Sequence, residues 1–390
     1  MALILLFWLS IFLLVYSYFI YPVLLFFLSS YIQLKRSCDF LFNKKDWRLE
    51  NKPVFLPYVT IVVPAYNEAV VINQKIENFL ALDYPQDKIE LIFSSDGSSD
   101  NTVELARARN IDNVKVIDSP RKGKPNAVNN GIAQARGEII VLSDAYALLA
   151  KDAVSKLTRH FSDLKIGCVI GEIYMETESG KAIEDVYGRY EIILKYMENR
   201  IGAVLSASGA IYAIRKSEFK PLPLWVINDD FVLPLLIRER GCKVIYDSEA
   251  VAFEKPPKNA KSEFKRRVRI GIGGFQGLRL TWRMLNPLRG PAALAYWSHK
   301  LLRWVGPFLL ISAFVANAFL LGQTAYKIIF IFHACFYLLA LLGSFKNFTQ
   351  RNQPIFKIPY YFVYMNAALF YGFLKFISGT KMVTWEKTQR

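Results

Sequence analysis

The chain has 390 residues, 53% of them hydrophobic, and a formal net charge of +16, which leaves room for a core of ordinary size plus further apolar parts. The basic excess stands beside long apolar runs rather than on an aromatic-studded polar face, which sets nucleic acid aside in favour of anionic lipid headgroups. Four cysteines without CxxC spacing and three scattered histidines exclude the zinc, redox and histidine-triad patterns.

No charged side chain occurs from Met1 to Leu34, and Leu3–Leu28 is long enough to cross a bilayer. A signal peptide needs a basic start, a short apolar run and a small-residue cleavage site. None is present, so residues 1–34 read as a transmembrane anchor. Residues 35–57, with Lys35, Arg36, Lys44, Lys45, Pro53 and Pro57, read as a linker. Strand Tyr58–Pro64 follows, then helix Ala69–Leu82, strand Glu90–Ser94 and helix Ser99–Arg109 with Ser98 or Ser99 as its cap. Strand Val114–Ile117, helix Asn126–Ala135 and strand Glu138–Leu142 continue the alternation. This pattern predicts an α/β fold with a doubly wound, mostly parallel sheet. Strand Val169–Glu176, helix Ala182–Asn199, the small-residue segment Ser206–Ile214, helix Asp230–Glu239 and strand Lys243–Phe253 complete a soluble domain over 58–255.

Residues 256–303 are strongly basic and contain the run Gly271-Ile272-Gly273-Gly274. They read as a gating or interfacial region, with mobility from the glycines and with Ala292–Leu302 lying in the membrane interface. The uncharged runs Trp304–Tyr326, Ile328–Phe345 and Ile358–Leu374 then predict C-terminal transmembrane helices over 304–378, with Gly322-Gln323-Thr324 as a tight connection and 379–390 as a tail. The last two runs are near the lower length limit, and a buried or re-entrant helix is the alternative for each. Lys35, Arg36, Lys44 and Lys45, with Lys346, Arg351 and Lys357, place the long middle region in the cytosol by the positive-inside rule. The basic tail residues Lys375, Lys381, Lys387 and Arg390 oppose a simple count of three spans.

Four short stretches fall where an apolar strand should stop. They are Val62-Val63-Pro64-Ala65-Tyr66-Asn67-Glu68, Ser95-Asp96-Gly97-Ser98-Ser99-Asp100, Gly123-Lys124-Pro125-Asn126 and Leu142-Ser143-Asp144-Ala145. In an open α/β sheet ligands bind at the carboxyl ends of the strands, so Asn67, Glu68, Asp96, Lys124 and Asp144 fall along one rim. Carboxylates for ribose, base or metal, a lysine for phosphate and helix N-termini for negative charge suit a nucleoside diphosphate. Free N–H groups at the Pro64–Glu68 turn would serve a ribose or phosphate. Taken singly, Asn67 reads as a helix cap, Asp96-Gly97-Ser98 as a common turn, and Gly123-Lys124 lacks the P-loop spacing. The four in this order carry the argument.

From Tyr58 to Arg283 the chain resembles the family 2 glycosyltransferases, specifically the membrane-anchored bacterial members with the GT-A fold. Further matches lie downstream of the four motifs. Ser208-Gly209-Ala210 with Arg215 resembles the acceptor-side segment. Asn228-Asp229-Asp230-Phe231 stands where the family has a Thr-Glu-Asp-like motif, and Arg266-Arg267-Val268-Arg269-Ile270 where processive members carry Gln-x-x-Arg-Trp. The resemblance implies a GT-A-type fold with flanking transmembrane helices. It implies a nucleotide-sugar site of Pro64, Ala65, Tyr66, Asn67, Glu68, Asp96, Lys124, Asp144, Arg266 and Arg269. Ser208, Gly209 and Asp229 would lie on the acceptor side, Asp230 would be the catalytic base, and Asp144 would hold a divalent cation, Mg2+ or Mn2+. Asp229 and Asp230 also read as a helix N-terminal pair, with Asp229 capping. The chain departs from the family pattern at Ser95, at Tyr146 where the metal motif commonly has a second aspartate, and at Arg266 and Ile270. Loss of the tryptophan removes a stacking platform for a growing sugar chain.

The expected activity is transfer of a sugar, with inversion, from a nucleotide-sugar donor (a UDP-sugar) to a saccharide acceptor in cell-surface or exported polysaccharide synthesis. The alternatives are transfer of one sugar to a lipid acceptor such as a polyprenyl phosphate or ceramide, and a non-enzymatic membrane protein with a degenerate nucleotide-binding fold. The expected partners are the donor, a saccharide or lipid-linked acceptor and membrane lipids. The expected location is the inner membrane, multi-pass, with the catalytic domain cytoplasmic.

Overall fold

The computed structural model of the chain describes residues 1–43, 55–175, 186–255, 260–345 and 353–379. The expected linker positions Lys44, Lys45 and Pro53, the helix start at Ala182, and Lys346, Arg351 and the tail from Lys381 lie outside them. The chain divides into two units, one drawn from residues 1–24, 259–275 and 296–380, the other from 25–258 and 276–295.

The second unit is built on one eight-stranded sheet in the order β3-β2-β1-β4-β7-β6-β8-β5. Its first half contains β1 (Val59–Ala65), α3 (Ala69–Leu80), β2 (Ile89–Asp96), α4 (Thr102–Ala108), β3 (Val114–Ser119), α5 (Lys124–Gln134) and β4 (Ile139–Leu142). β1 lies between β2 and β4 and is parallel to both, and β3 is parallel to β2. All seven residues of β1 and all eight of β2 are buried, as in a parallel sheet covered on both faces, so the strands show no alternation of buried and exposed positions. Pro64 is tolerated because the β4 ladder ends at Val62↔Leu142, two residues before it, so its missing N–H has no partner to lose on that side.

The other half adds β5 (Leu148–Leu149), α6 (Ala153–Thr158), β6 (Ile166–Met175), α7 (Val186–Arg200), β7 (Tyr212–Arg215), α8 (Asp229–Glu239) and β8 (Lys243–Glu254). Here β7 runs antiparallel to β4 and β6, β8 is parallel to β6, and β5 is antiparallel to β8. The expected parallel pattern therefore holds from β3 to β4 and becomes mixed beyond. β5 and α6 escape sequence reading because two residues, or six, are too few to show a period. α5 starts two residues earlier than expected, at Lys124, because Gly123 takes φ 101° as its N-cap and Pro125 fits the first turn.

The sequence of pairings puts β2 on one side of β1 and β4 on the other. That reversal is a topological switch point, and it opens a crevice at the carboxyl ends of β1 and β4. The core beneath is formed by Val59, Ile61 and Val63 of β1, Ile72, Ile76 and Phe79 of α3, and Ile139 and Val141 of β4.

The first unit is helical, and the helices at its boundaries run on in sequence into residues 25–43, 276–281 and 291–295 of the second. α1 (Ala2–Val15), a π-helical turn (Tyr16–Ile20) and α2 (Tyr21–Asn43) form an uninterrupted helical stretch that continues past Leu34. α9 spans Ala260–Thr281. A second helical stretch runs through α10 (Pro291–Ala295), a π turn (Tyr296–Leu301) and α11 (Leu302–Phe319), so Ala292–Leu302 is not a separate interfacial helix. α12 (Thr324–Gly343) and α13 (Pro354–Ile377) complete the unit. Among the described residues three helical stretches are long and apolar enough to cross a membrane, Ala2–Phe42, Pro291–Phe319 and Thr324–Gly343. Within the unit, Phe7 packs with Ala313, Ala316 and Tyr326. The glycine run of α9 is helical: a Cβ on Gly274 would come within 2.8 Å of the Trp304 ring, and Gly271 packs against Gly372. These glycines serve close helix packing rather than a hinge.

Candidate active site

At the end of β1 the chain turns sharply through Asn67, which adopts the left-handed φ of 55° that asparagine tolerates. The N–H groups of this turn are not free, contrary to the sequence expectation. Asn67 N–H donates to Ser98 Oγ (3.2 Å), Glu68 N–H to Thr102 Oγ1 (2.8 Å) and Ala69 N–H to Asp100 Oδ2 (3.3 Å). Ser99 N–H donates to Asn67 Oδ1 (2.8 Å). The turn after β1 is thus tied to the turn after β2. Ser98 and Ser99 are engaged there rather than capping α4, whose N-cap is Asn101. Pro64 and Ala65 are buried in β1, and Glu68 is buried at the start of α3. Tyr66 lies half-buried beneath Arg121, whose guanidinium carbon is 3.6 Å from the ring centroid. That stacked pair is a cation–π contact, and nothing in the sequence marked Arg121.

Asp96 closes β2. Its carboxylate accepts from Lys122 N–H (2.8 Å) and from Gly123 N–H (2.8 and 2.9 Å to its two oxygens). Burial raises its pKa, and these backbone donors pull it back only in part. Gly97, at φ 69°, leaves room for the loop: a Cβ there would stand 2.8 Å from Arg121 N. Asp96 therefore holds the loop that delivers Lys124.

Lys124, the first residue of α5, is the centre of the cluster. Its Nζ lies 2.8 Å from Asp144 Oδ1 and 3.2 Å from Asp229 Oδ1. Burial works against the ammonium, but the carboxylates of Asp144, Asp229 and Asp230 outweigh it and raise its pKa well above the usual lysine range. Gly209 borders both groups. A Cβ there would meet Asp144 Oδ2 at 2.8 Å and Lys124 Nζ at 3.2 Å. The backbone is locked as well, since Asp144 N–H donates to Gly209 C=O (2.9 Å) and Ile211 N–H to Ser208 C=O (3.2 Å).

Asp229 is buried at the start of α8 and makes no capping bond; Asn228 is the N-cap. The Asp229 carboxylate instead accepts from the Tyr212 hydroxyl at 3.0 Å and pairs with Lys124. Asp230, the next residue, is half-buried, and its C=O accepts from Ala207 N–H (2.8 Å). Tyr212 stands at the site because β7 is antiparallel to β4, which sets it opposite Leu142. The same register sets Arg215 opposite Ile139, at the far end of the strand, where it donates to Phe161 C=O (2.7 Å). Arg215 is therefore not part of the cluster. Arg266 and Arg269 lie on α9, and Arg266 Nη1 is 3.4 Å from Glu263 Oε2.

Lys75 of α3 is a second lysine at this rim that the motifs missed. It is 2% exposed, and burial pushes its ammonium down to about 7 against the opposing pull of Asp144 and Glu254. A signal was available: Lys75 shares the inner stripe of α3 with Ile72, Ile76 and Phe79. Among the described residues no three His, Cys, Asp or Glu side chains could hold a metal ion by themselves. Asp144, 35% exposed, fits Mg2+ or Mn2+ in the mode where one carboxylate is completed by substrate phosphates and water.

The profile of the glycosyl transferase family 2 matches residues 60–217, and that of glycosyl transferase family group 2 matches residues 139–373. The poly-beta-1,6-N-acetyl-D-glucosamine synthase of Staphylococcus aureus (strain COL) is 30% identical over 260 residues, covering 64% of this chain and 62% of that protein. The probable glycosyltransferase YdaM of Bacillus subtilis is 29% identical over 245 residues, 59% of this chain and 58% of that one. The chain thus aligns with about three fifths of the length of these relatives. A solved structure of the mannosyltransferase PcManGT from Pyrobaculum calidifontis, in complex with GDP-Man and Mn2+, superposes with a TM-score of 0.70 at 23% identity, over 96% of this chain and 99% of that one. At that identity the likeness is one of fold.

Proposed function

The chain belongs to glycosyl transferase family group 2, and on that premise we propose that it transfers a sugar, with inversion, from a nucleotide-sugar donor to a saccharide acceptor. The observation that carries the reading is the Lys124–Asp144–Asp229 cluster, with Asp230 as the next residue, at the switch point of the sheet. The acceptor hydroxyl attacks the anomeric carbon as the bond to the diphosphate breaks. Asp230 takes the hydroxyl proton as general base. Attack opposite to the leaving group inverts the anomeric centre. Lys124 supplies fixed positive charge where the diphosphate gains negative charge, an arrangement that needs no reorganisation at the moment of reaction. A Mg2+ or Mn2+ held between Asp144 and the donor phosphates would neutralise that same charge. Asp96 and the Tyr66–Arg121 pair serve the base and ribose end, and Ser208 and Gly209 the acceptor side.

The donor we expect is a UDP-sugar. The Staphylococcus relative is a synthase of an N-acetylglucosamine polymer, and the Pyrobaculum enzyme is in complex with GDP-Man, so both nucleotide classes belong in the test. The product is a cell-surface or exported polysaccharide or its lipid-linked precursor, made at the cytoplasmic face of a membrane that the apolar helices cross. The purified full chain is screened for hydrolysis of a panel of UDP- and GDP-sugars with Mg2+ or Mn2+, followed by product sizing. Turnover of one donor with an inverted product supports the reading. No turnover of any donor under any condition rejects it.

A further inference from the structure

We propose that Lys75 is a positioning residue of this site: its buried amine holds the Ser143–Ala147 turn and so steadies the Asp144 carboxylate and the Gly209 backbone beside it. The proposal rests on the glycosyltransferase reading above and deepens it.

The first argument is cost. Lys75 sits in a stripe whose other members, Ile72, Ile76 and Phe79, are no more than 1% exposed. Stripping water from an ammonium costs several kcal/mol, and a leucine or methionine would fill the same stripe without that penalty. The amine is kept in place by acceptors arranged for its N–H groups. Lys75 Nζ donates to Ser143 Oγ (2.7 Å) and to Ala147 C=O. These are the two ends of the five-residue turn that carries Asp144.

The second argument is connectivity. The Ser143 hydroxyl, accepting from Lys75, donates in turn to Ala210 C=O (2.8 Å), and the next N–H, of Asp144, donates to Gly209 C=O (2.9 Å). One side chain therefore organises both the turn with Asp144 and the segment with Ser208 and Gly209. Lys124 approaches the Asp144 carboxylate directly, at 2.8 Å, while Lys75 supports the turn through its hydroxyl and carbonyl oxygens. Where the related pattern has a second aspartate this chain has Tyr146, so a single carboxylate must be held in place, and Lys75 braces the turn that carries it.

A purely structural lysine would change stability and leave the kinetics of the folded fraction alone. A positioning lysine changes donor and cation affinity. The test uses the full chain in detergent or nanodiscs, with Lys75→Met, Lys75→Arg and Ser143→Ala. Two readouts are taken per folded molecule: donor KM against kcat, and the calorimetric affinity for the nucleoside diphosphate with Mn2+. Lys75→Met is expected to weaken both affinity and kcat/KM by about 10–100-fold, the usual effect of losing a group that orients a ligand. Lys75→Arg recovers part of this, and Ser143→Ala reproduces part of it. The Lys75→Met/Ser143→Ala double variant loses less than the product of the singles, because both act through one hydrogen bond. Should Lys75→Met fail to fold, Ser143→Ala and Lys75→Arg decide. Wild-type KM and nucleotide affinity in every folded variant overturn the proposal and leave the glycosyltransferase reading intact. A wild-type protein that binds no nucleotide overturns both.

Discussion

Lys124→Met removes the cation shared by two carboxylates while keeping the side chain's volume. The two partners respond differently. Asp144 is 35% exposed and can be rehydrated, so its loss is that of a surface pair, at most about 1 kcal/mol. The Asp229 side chain is 4% exposed. Removing one partner of a buried pair costs about 3–5 kcal/mol because the other charge stays buried. Tyr212 still donates to Asp229 at 3.0 Å, which puts the expected loss near the lower end, about 3 kcal/mol. For a unit of this size that is roughly 6–12 °C in Tm. The double variant Lys124→Met/Asp229→Asn leaves no buried charge and should recover about 2 kcal/mol of it. Activity follows another rule. Both variants lack the cation at the leaving diphosphate, so kcat should fall by about 10²–10³ in each. The assay is thermal unfolding of the detergent-solubilised chain, paired with donor turnover. A single variant as stable as wild type, or a double variant less stable than the single, refutes the buried-pair argument. Stability restored together with activity refutes the assignment of Lys124 to the chemistry.

Asp230→Asn should lower kcat by about 10²–10⁴, the usual contribution of a general base, while the donor nucleotide still binds; full turnover refutes its role. Gly209→Ala places a methyl 2.8 Å from Asp144 Oδ2, so the carboxylate must swing away. Donor KM should then rise about tenfold with little change in Tm; an unchanged KM means the carboxylate is not used. Glu90 is buried at the opposite end of the sheet. Burial opposes its charge, but donors from Arg136 N–H, Thr60, Lys115 and the Arg136 side chain outweigh it and hold its pKa below 4.5. An acid with a depressed folded-state pKa contributes stability that is complete above its unfolded value and fades as pH falls through the folded one. Stability should therefore drop below about pH 4.5 in wild type. Glu90→Gln should flatten that acid limb and cost about 2 kcal/mol at pH 7, read from denaturation midpoints across pH 3.5–7.

The sheet's parallel half was legible because its strands are short stretches with an apolar core that each end in a polar turn. Val59–Ala65 and Ile89–Asp96 show this directly. The same ends mark Asp96, Lys124 and Asp144, since a strand's carboxyl end is also where the crevice opens. What stayed hidden depends on long-range contacts. The N–H groups after β1 are taken by Ser98, Asp100 and Thr102, more than thirty residues on. Tyr212 reaches Asp229 only because β7 runs antiparallel to β4, a register no local pattern encodes. Gly271 and Gly274 suggested mobility, yet their missing side chains make room for Gly372 and Trp304. Lys75 was readable in principle, as a cation within an apolar helical stripe, but its acceptors at Ser143 and Ala147 were not.

The most direct measurement is titration calorimetry of the intact chain with UDP and GDP, each with and without Mn2+. If Lys124 and Asp144 frame a diphosphate crevice, one nucleotide binds with a single site, more tightly with the cation, and Lys124→Met weakens that binding while Asp230→Asn keeps it. Silence with both nucleotides in the folded protein, cation or not, would contradict the account at its root.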